Sequence, residues 1–333
     1  MRAFVLTGYG AVADKVRLVQ VPDPVANDGE VVIKIDAAGL NPIDFKIVHG
    51  DLKRVSHYTP PRGFGFDACG VVTSVGAAAK RFKPGDVVYA RASRASIGTF
   101  AEQIALDETF VAKKPDNISR AEAASLPLVA LTTLQVFDRV GAKAGQRILI
   151  HAGSGGVGTF AVQYARYLGL HVTTTTSSKN VDFVASLGAS KVIAYDREDY
   201  LRAGGGYDLV YDTLGGAFTV DAFKVVKRGG WVMSLSGPPD RGFADRIGAA
   251  WPVRLAIWLM GRKVYDAAAK AGASYDWALT ESNGDQLADV AALVEKGAIV
   301  PVMDRAFEFE QLPEALSDLE TGRARGKVVL RMR

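Results

Sequence analysis

Ligand-forming residues are scarce in this 333-residue chain: one cysteine, Cys69, and four histidines, His49, His57, His151 and His171. One cysteine excludes an intrachain disulfide and any multi-cysteine zinc site, and it suits a reducing, cytoplasmic setting. No histidine stands in H-E-x-x-H or beside a C-x-x-C pair, so no metal is predicted. Long apolar runs are missing too. The longest candidate, Trp251 to Met260, is interrupted by Pro252 and Arg254 and falls well short of the about 20 residues a membrane span needs. The opening Met1 to Leu6 turns polar at Thr7-Gly8, too early for the apolar core of a signal peptide. Charge of one sign is nowhere concentrated: the net charge is +4, but Lys, Arg, Asp and Glu are interspersed, so no nucleic-acid-binding arm is expected. Repeats and low-complexity linkers are likewise absent. What remains is a chain that is 48% hydrophobic and long enough for two domains.

Its organising stretch is Arg147 to Thr159, RILIHAGSGGVGT, in which a short apolar strand runs into a glycine-rich turn and then into a helix beginning near Phe160. Gly153, Gly155 and Gly158 fit G-x-G-x-x-G. The first glycine allows the tight turn, the second lets a pyrophosphate approach the backbone, and the third lets helix pack on strand. The turn residues Gly153, Ser154, Gly155, Gly156, Val157 and Gly158 are therefore candidate dinucleotide contacts, with phosphates on the free N–H groups of the helix.

Residues 1 to about 120 read as β-rich, with strand candidates at 3–7, 30–37, 68–75, 86–90 and 99–105 separated by Gly and Pro turns. Ser119 and Glu122 form a capping-box pattern that opens helical spacing. Beyond the glycine turn, strands at 171–176, 191–195, 207–212 and 230–235 alternate with helices at 181–187 and 217–227, as a doubly wound parallel sheet requires. Residues 238–270 break that rhythm with a helix-rich excursion, expected to pack its apolar side chains. Ser274 to Leu279 is a sixth-strand candidate and 285–295 a helix. The tail from Ile299 has strand character and is assigned back to the first domain. The expected domains are 1–122 completed by 298–333, and 123–297, an α/β Rossmann domain.

An NAD site of this kind places an acid about 20 residues past the glycines. Here that window reads Thr175-Thr176-Ser177-Ser178-Lys179-Asn180, with no acid before Asp182. Ser177, Ser178 and Lys179 can bind a 2′-phosphate, which favours NADPH, and the serines can equally serve as a helix N-cap.

Several further stretches carry a family resemblance: Ala38 to Lys46 (AGLNPIDFK), Gly65 to Val72, Lys83 to Val88, Ala123 to Pro127, Tyr211 to Gly215, and Ala324 to Val329. With the glycine turn they span nearly the whole chain in family order, and the chain resembles the zinc-independent quinone oxidoreductases and enone reductases of the medium-chain dehydrogenase/reductase superfamily. Where the zinc-dependent branch has Gly-His-Glu this chain has Gly65-Phe66-Asp67, and the four-cysteine lobe is missing.

The resemblance implies a GroES-like β-barrel catalytic domain, a Rossmann domain and a homodimer paired through sixth strands. It also implies NADPH-dependent hydride transfer to a quinone or to the C=C bond of an α,β-unsaturated carbonyl. It places Asn41, Asp44 and Lys46 on the active-site loop, Asn41 as a substrate or nicotinamide contact and Lys46 as an oxyanion donor, with Tyr58 as a proton-donor candidate. Each has an ordinary structural alternative: a turn at Asn41-Pro42, a helix cap at Asp44, a solvent-facing Lys46, a packed Tyr58. On the cofactor side it implies Thr132 or Thr133, Tyr195, Leu214-Gly215, Ser236-Gly237 and Lys327. The alternative of another class is a non-catalytic NADPH-binding protein, crystallin-like or RNA-binding. Quinone and enone acceptors need the same hydride and anion-stabilising pocket, and both stay open.

Overall fold

Alternating buried and exposed positions along the first third build a strand-rich unit. The structure, a computed structural model, describes residues 1–53, 58–240, 242–246 and 248–332, with Arg246 through its backbone alone. His57, and Arg241 and Ile247 of the 238–270 excursion, lie outside the described residues. The first elements are β1 (Arg2–Leu6), α1 (Val12–Lys15), β2 (Val16–Gln20), β3 (Glu30–Gly39), α2 (Pro42–His49), β4 (Arg62–Gly63) and β5 (Asp67–Val75). Then come β6 (Val87–Arg91), β7 (Gln103–Asp107), β8 (Val111–Lys113) and α3 (Arg120–Ala124). A three-stranded sheet β2-β1-β4 accompanies a larger one in which β3 pairs antiparallel with both β5 and β7, and β5 with β6. Ser119 caps α3 by accepting the Glu122 N–H at 3.2 Å while Glu122 accepts the Ser119 N–H at 2.7 Å, the capping box the sequence announces.

The middle of the chain alternates strand and helix: α4 (Pro127–Val140), β9 (Arg147–Ile150), α5 (Gly156–Tyr167), β10 (His171–Thr176), α6 (Val181–Ser186), β11 (Lys191–Ala194) and β12 (Tyr207–Asp212). It continues through α7 (Ala217–Asp221), β13 (Val226–Ser234), α8 (Phe243–Arg246), α9 (Trp251–Ala271) and β14 (Ser274–Trp277). All the strand pairs are parallel, in the order β11-β10-β9-β12-β13-β14. That is the doubly wound order 3-2-1-4-5-6, whose ligand crevice opens at the carboxyl ends of the strands. The helix expected over 217–227 is shorter, because the chain tightens into a 3₁₀ turn at Ala222–Lys224 and enters β13. The excursion also departs from expectation. A helix buries one stripe, and α9 buries Ile257, Val264, Tyr265 and Ala268 while Leu255, Leu259 and Met260 stay exposed and Trp251 is 74% exposed.

The chain closes with α10 (Gly284–Glu295), β15 (Met303–Glu308), α11 (Leu312–Glu320) and β16 (Lys327–Arg331). β16 pairs with β3 and β15 with β16, so the tail completes the first unit's sheet. The helix α11 lies in a stretch read from sequence as strand-like. The chain divides into one unit of 1–131 with 281–333 and another of 132–280. Placing the breaks at 122 and 297 assigned α10 to the nucleotide domain. In the structure α10 packs within the first unit: Tyr89 Oη donates to Leu287 O at 2.5 Å, and Gly284 lies so close to Val111 O that a Cβ would stand 2.3 Å from it. Its periodicity is that of any amphipathic helix and does not say which sheet it covers.

Candidate active site

In the second unit the site is built on the carboxyl edge of β9. Ala152 takes a left-handed φ of 54°, and its N–H donates to Thr175 Oγ1 at 3.1 Å, while the Gly153 N–H donates to Thr175 O at 2.8 Å, which fastens the turn to β10. The three motif glycines have different jobs. A Cβ on Gly153 would stand 2.2 Å from Thr174 Oγ1, and one on Gly158 2.2 Å from Ala152 O, so packing forbids side chains at both. A Cβ on Gly155 would meet nothing nearer than Ala152 O at 3.4 Å. Protein packing therefore does not demand glycine there; the space a side chain would occupy lies open beside α5, whose N-cap, Gly155, offers no side chain to the first-turn N–H groups. An open cradle lined by free amides fits a pyrophosphate. Ser154 Oγ accepts from Thr176 Oγ1 at 2.9 Å and from Asn180 Nδ2 at 3.3 Å.

At the end of β10, Lys179 is exposed and Ser177 Oγ accepts from Asn180 Nδ2 at 3.3 Å. Ser178 is engaged by an acid the sequence window did not contain. Its N–H and Oγ donate to Asp196 Oδ1 and Oδ2 at 2.7 and 2.6 Å, and these bonds hold the Asp196 carboxyl below its usual range. Parallel pairing of β10 with β11 brings the residues after β11 beside those after β10. The neighbouring Tyr195 is largely exposed. Thr132 and Thr133 are buried on α4, and Thr132 Oγ1 bonds Thr280 Oγ1 at 2.7 Å.

Leu214-Gly215 and Ser236-Gly237 follow β12 and β13 on the same edge. The Leu214 and Gly215 amides converge on Asp212, and those of Ser236 and Gly237 on Ser234 Oγ. Asp212 Oδ1 accepts the N–H groups of Leu214 and Gly215 at 2.9 and 3.0 Å, and its Oδ2 accepts the hydroxyls of Thr219 and Ser234 at 2.5 and 2.7 Å. Burial opposes the Asp212 charge, but hydrogen bonds from His151, Thr219, Gly215 and Ser234 outweigh it and hold the pKa at about 2.

The first unit gathers the other half of the candidates. Asn41 and Asp44 are fully buried at the start of α2, where Asp44 Oδ2 accepts the Asn41 N–H at 2.7 Å and Asp44 Oδ1 has no partner. Desolvation drives the Asp44 pKa up to about 8, helped by Asp67 and opposed by the Asn41 amide and Lys327. Asn41 Nδ2 donates to Asp67 Oδ2 at 2.9 Å. Lys327, 5% exposed, directs Nζ at Leu40 O (2.7 Å), Asn41 Oδ1 (2.5 Å) and Asp67 Oδ2 (3.4 Å). An ammonium has three N–H donors, and these acceptors take them all, so Lys327 stands as a clasp on the Asn41 loop. Asp67, which the sequence offers only as the last residue of Gly65-Phe66-Asp67, is the centre of this cluster; its Oδ1 also accepts the Leu128 N–H at 2.9 Å. Lys46 is half-buried. Tyr58 is buried, its hydroxyl pKa raised by desolvation against the pull of Arg94, Arg91 and Arg62. Arg91, absent from the sequence-based candidates, is buried beside Asp67 on the neighbouring strand, and Nη1 donates to Ser282 Oγ at 3.0 Å.

Comparison with known proteins agrees with this architecture. The family described as Alcohol dehydrogenase GroES-like domain matches residues 27–116, and that described as Zinc-binding dehydrogenase matches 187–330. The 2-methylene-furan-3-one reductase of Solanum lycopersicum is 35% identical, the match covering 99% of this chain and 79% of that protein. The chloroplastic NADPH-dependent alkenal/one oxidoreductase of Arabidopsis thaliana is 34% identical with the same coverage of 99% and 79%. Among solved structures, the quinone oxidoreductase from Coxiella burnetii superimposes with a TM-score of 0.86 at 30% identity, covering 100% of this chain and 99% of that one.

Proposed function

Because the chain belongs to the medium-chain dehydrogenase/reductase superfamily, among its quinone oxidoreductases and enone reductases, we propose that it reduces a quinone or the C=C bond of an α,β-unsaturated carbonyl with NADPH. The observation that carries the cofactor half is the cradle at Gly155, open where a pyrophosphate needs room and closed by packing at Gly153 and Gly158. When bound, NADPH supplies the hydride. The protein's part is to bind, to orient and to meet the negative charge that grows on the acceptor oxygen. Gly153 to Gly158 would hold the pyrophosphate and Lys179 with Ser177 the 2′-phosphate, whereas the Ser178 N–H and hydroxyl, expected there from the sequence, are taken by Asp196. Leu214-Gly215 and Ser236-Gly237 line the crevice, Thr132 or Thr133 contacts the nicotinamide ribose, and Tyr195 stands beside the adenosine phosphate.

In the first unit, Asn41 orients substrate or nicotinamide and Lys46 donates to the oxyanion. The completed reaction also needs one proton. Asp44 suits that transfer: desolvation keeps its carboxyl protonated at neutral pH, and its Oδ1 is unpartnered. Tyr58, also protonated at neutral pH, is the second donor.

The reaction needs no zinc in this reading. Cys69 is buried with its thiol pKa pushed up to about 12 by desolvation, Phe66 lies in the core where the zinc branch has histidine, and Asp67 is engaged by Lys327 and Asn41. Cytoplasmic residence is supported by that single unpaired cysteine. Among the described residues no helix is long and apolar enough to cross a membrane. A homodimer through β14 is supported by its place at the edge of the six-stranded sheet; a light-scattering mass near 35.5 kDa would reject it.

The test is NADPH oxidation with 9,10-phenanthrenequinone and with a short alkenal, each repeated with NADH and with a chelator. Turnover preferring NADPH and indifferent to chelator is expected. Tight NADPH binding without turnover on either acceptor class would overturn the catalytic reading, and loss of activity to chelator would overturn the zinc-free one.

A further inference from the structure

The buried carboxylate of Asp212 is joined to every turn on the carboxyl edge from β9 to β13. On the β9 side, His151 is the residue that enters the glycine turn; its Nδ1 lies 3.4 Å from Asp212 Oδ1, and its backbone O accepts from Thr213 Oγ1 at 3.0 Å. The His151 ring is fully buried and set edge-on to Tyr200 and Phe218, with centroids 5.1 and 5.7 Å away, which fixes its plane. After β12, the Leu214 and Gly215 amides sit directly on Oδ1. After β13 the connection has one more link. Ser234 Oγ donates to Asp212 Oδ2 at 2.7 Å and itself accepts the N–H groups of Gly237 and Ser236 at 2.8 and 3.3 Å. The last two turns also touch: a Cβ on Gly215, at φ 79°, would stand 2.4 Å from Ser236 O.

We propose that Asp212 is the positioning residue of the dinucleotide site, a buried anionic hub that sets the spacing of the glycine turn, the Leu214-Gly215 turn and the Ser236-Gly237 turn. Geometry explains why a carboxylate is needed. The hub must accept from amides and hydroxyls on both oxygens at once, and an ionised carboxylate is acceptor-only on both, whereas an amide turns one of them into a donor. Charge-assisted bonds are also the stronger kind, which suits a group that must hold loops with no strand pairing of their own. This proposal rests on the reading of those turns as the cofactor site.

Thr219 makes the test clean. It donates to the same Oδ2 as Ser234, but from α7, just beyond Leu214-Gly215, whereas Ser234 Oγ also accepts the Ser236 and Gly237 amides. Asp212→Asn, Ser234→Ala and Thr219→Val are compared by melting temperature, by NADPH fluorescence titration, by titration with 2′-AMP and, without nucleotide, by amide hydrogen exchange. Ser234→Ala and Thr219→Val each remove one hydroxyl from the carboxylate, so both lower the melting temperature.

Ser234→Ala is expected to weaken NADPH binding about tenfold, to leave 2′-AMP binding within about twofold, and to speed exchange at the Ser236 and Gly237 amides. Thr219→Val is expected to leave NADPH affinity and those amides within about twofold of wild type. Asp212→Asn, if folded, weakens NADPH most and raises its KM more than it lowers kcat. Equal loss of NADPH affinity in Ser234→Ala and Thr219→Val, or parallel loss of 2′-AMP binding, would reduce Asp212 to a purely structural residue and overturn the proposal. Failure of the wild-type protein to bind NADPH would overturn the site reading itself, and with it this role. A wild type that binds NADPH beside a Ser234→Ala variant unchanged in affinity and exchange would sink the hub alone.

Discussion

Replacing Lys327 by methionine tests the buried cluster around Asn41 most directly, because the substitution keeps the length and bulk of the side chain and deletes only its charge and donors. In the wild type, Nζ meets Leu40 O, Asn41 Oδ1 and Asp67 Oδ2 at 2.7, 2.5 and 3.4 Å. Desolvation raises the Asp67 pKa and lowers that of Lys327, and their attraction is what opposes it. Without the ammonium, Asp67 becomes a buried carboxylate held by two neutral donors, Asn41 Nδ2 and the Leu128 N–H, and two oxygens lose their partner. Breaking a buried pair in this way costs about 3–5 kcal/mol. At roughly 2–4 °C per kcal/mol, the transition of the first unit should fall by about 6–20 °C.

The penalty should depend on pH with a definite sign. Loss of its cation raises the Asp67 pKa further, so folded Lys327→Met holds a proton that the unfolded chain releases. The variant is then least destabilised at acidic pH and loses stability as pH rises through the raised pKa. Adding Asp67→Asn should recover part of the loss, since Asn41 can turn its amide to accept from the new one. Thermal unfolding of wild type, both single variants and the double variant at pH 5 and pH 8 measures all of this. A shift under about 1 kcal/mol for Lys327→Met, or additive single and double variants, would refute the clasp.

Asp44 makes a second pH prediction. Its folded pKa, pushed up to about 8 by desolvation, means that its contribution is fully present below the ordinary carboxylate pKa and is lost as pH rises toward 8. Asp44→Asn should remove that share of the decline, and melting curves that stay parallel from pH 5 to 8 would contradict it. At the glycine turn, Gly155→Ala (native φ −80°) should keep the melting temperature and weaken NADPH binding about tenfold or more, whereas Gly158→Ala should lower both. Equal melting temperatures for the two variants would remove the distinction. Asp196→Asn removes a negative charge next to the proposed 2′-phosphate site and frees Ser178; the ratio of kcat/KM for NADPH over NADH should rise about two- to fivefold. An unchanged or reduced ratio would mean the 2′-phosphate lies elsewhere.

What could be read from the sequence was what neighbours in the chain decide. The glycine turn, the capping box at Ser119 and Glu122, and the alternation of strands and helices from β9 to β14 are set by turn chemistry and periodicity within a few residues. The departure from Gly-His-Glu at Gly65-Phe66-Asp67 is legible in the sequence as well. The domain breaks were harder, because the apolar stripe of α10 fits a neighbour in either unit, and the tail's helix α11 was hidden beside strand-like segments. The role of Ser178 could not be read from its window, since the acid that occupies it arrives from the next strand's end.

The sequence by itself thus determined the parallel sheet and the glycine-rich turn between β9 and α5. Only the tertiary structure decided which carboxylates matter and in what state. Asp67 and Lys327 meet across 260 residues of chain, Asp212 becomes a hub because β9, β12 and β13 end side by side, and the Asp44 pKa rises because folding removes the water around it. Charge states and donor–acceptor matching depend on burial and on partners distant in sequence, and neither has a local signature.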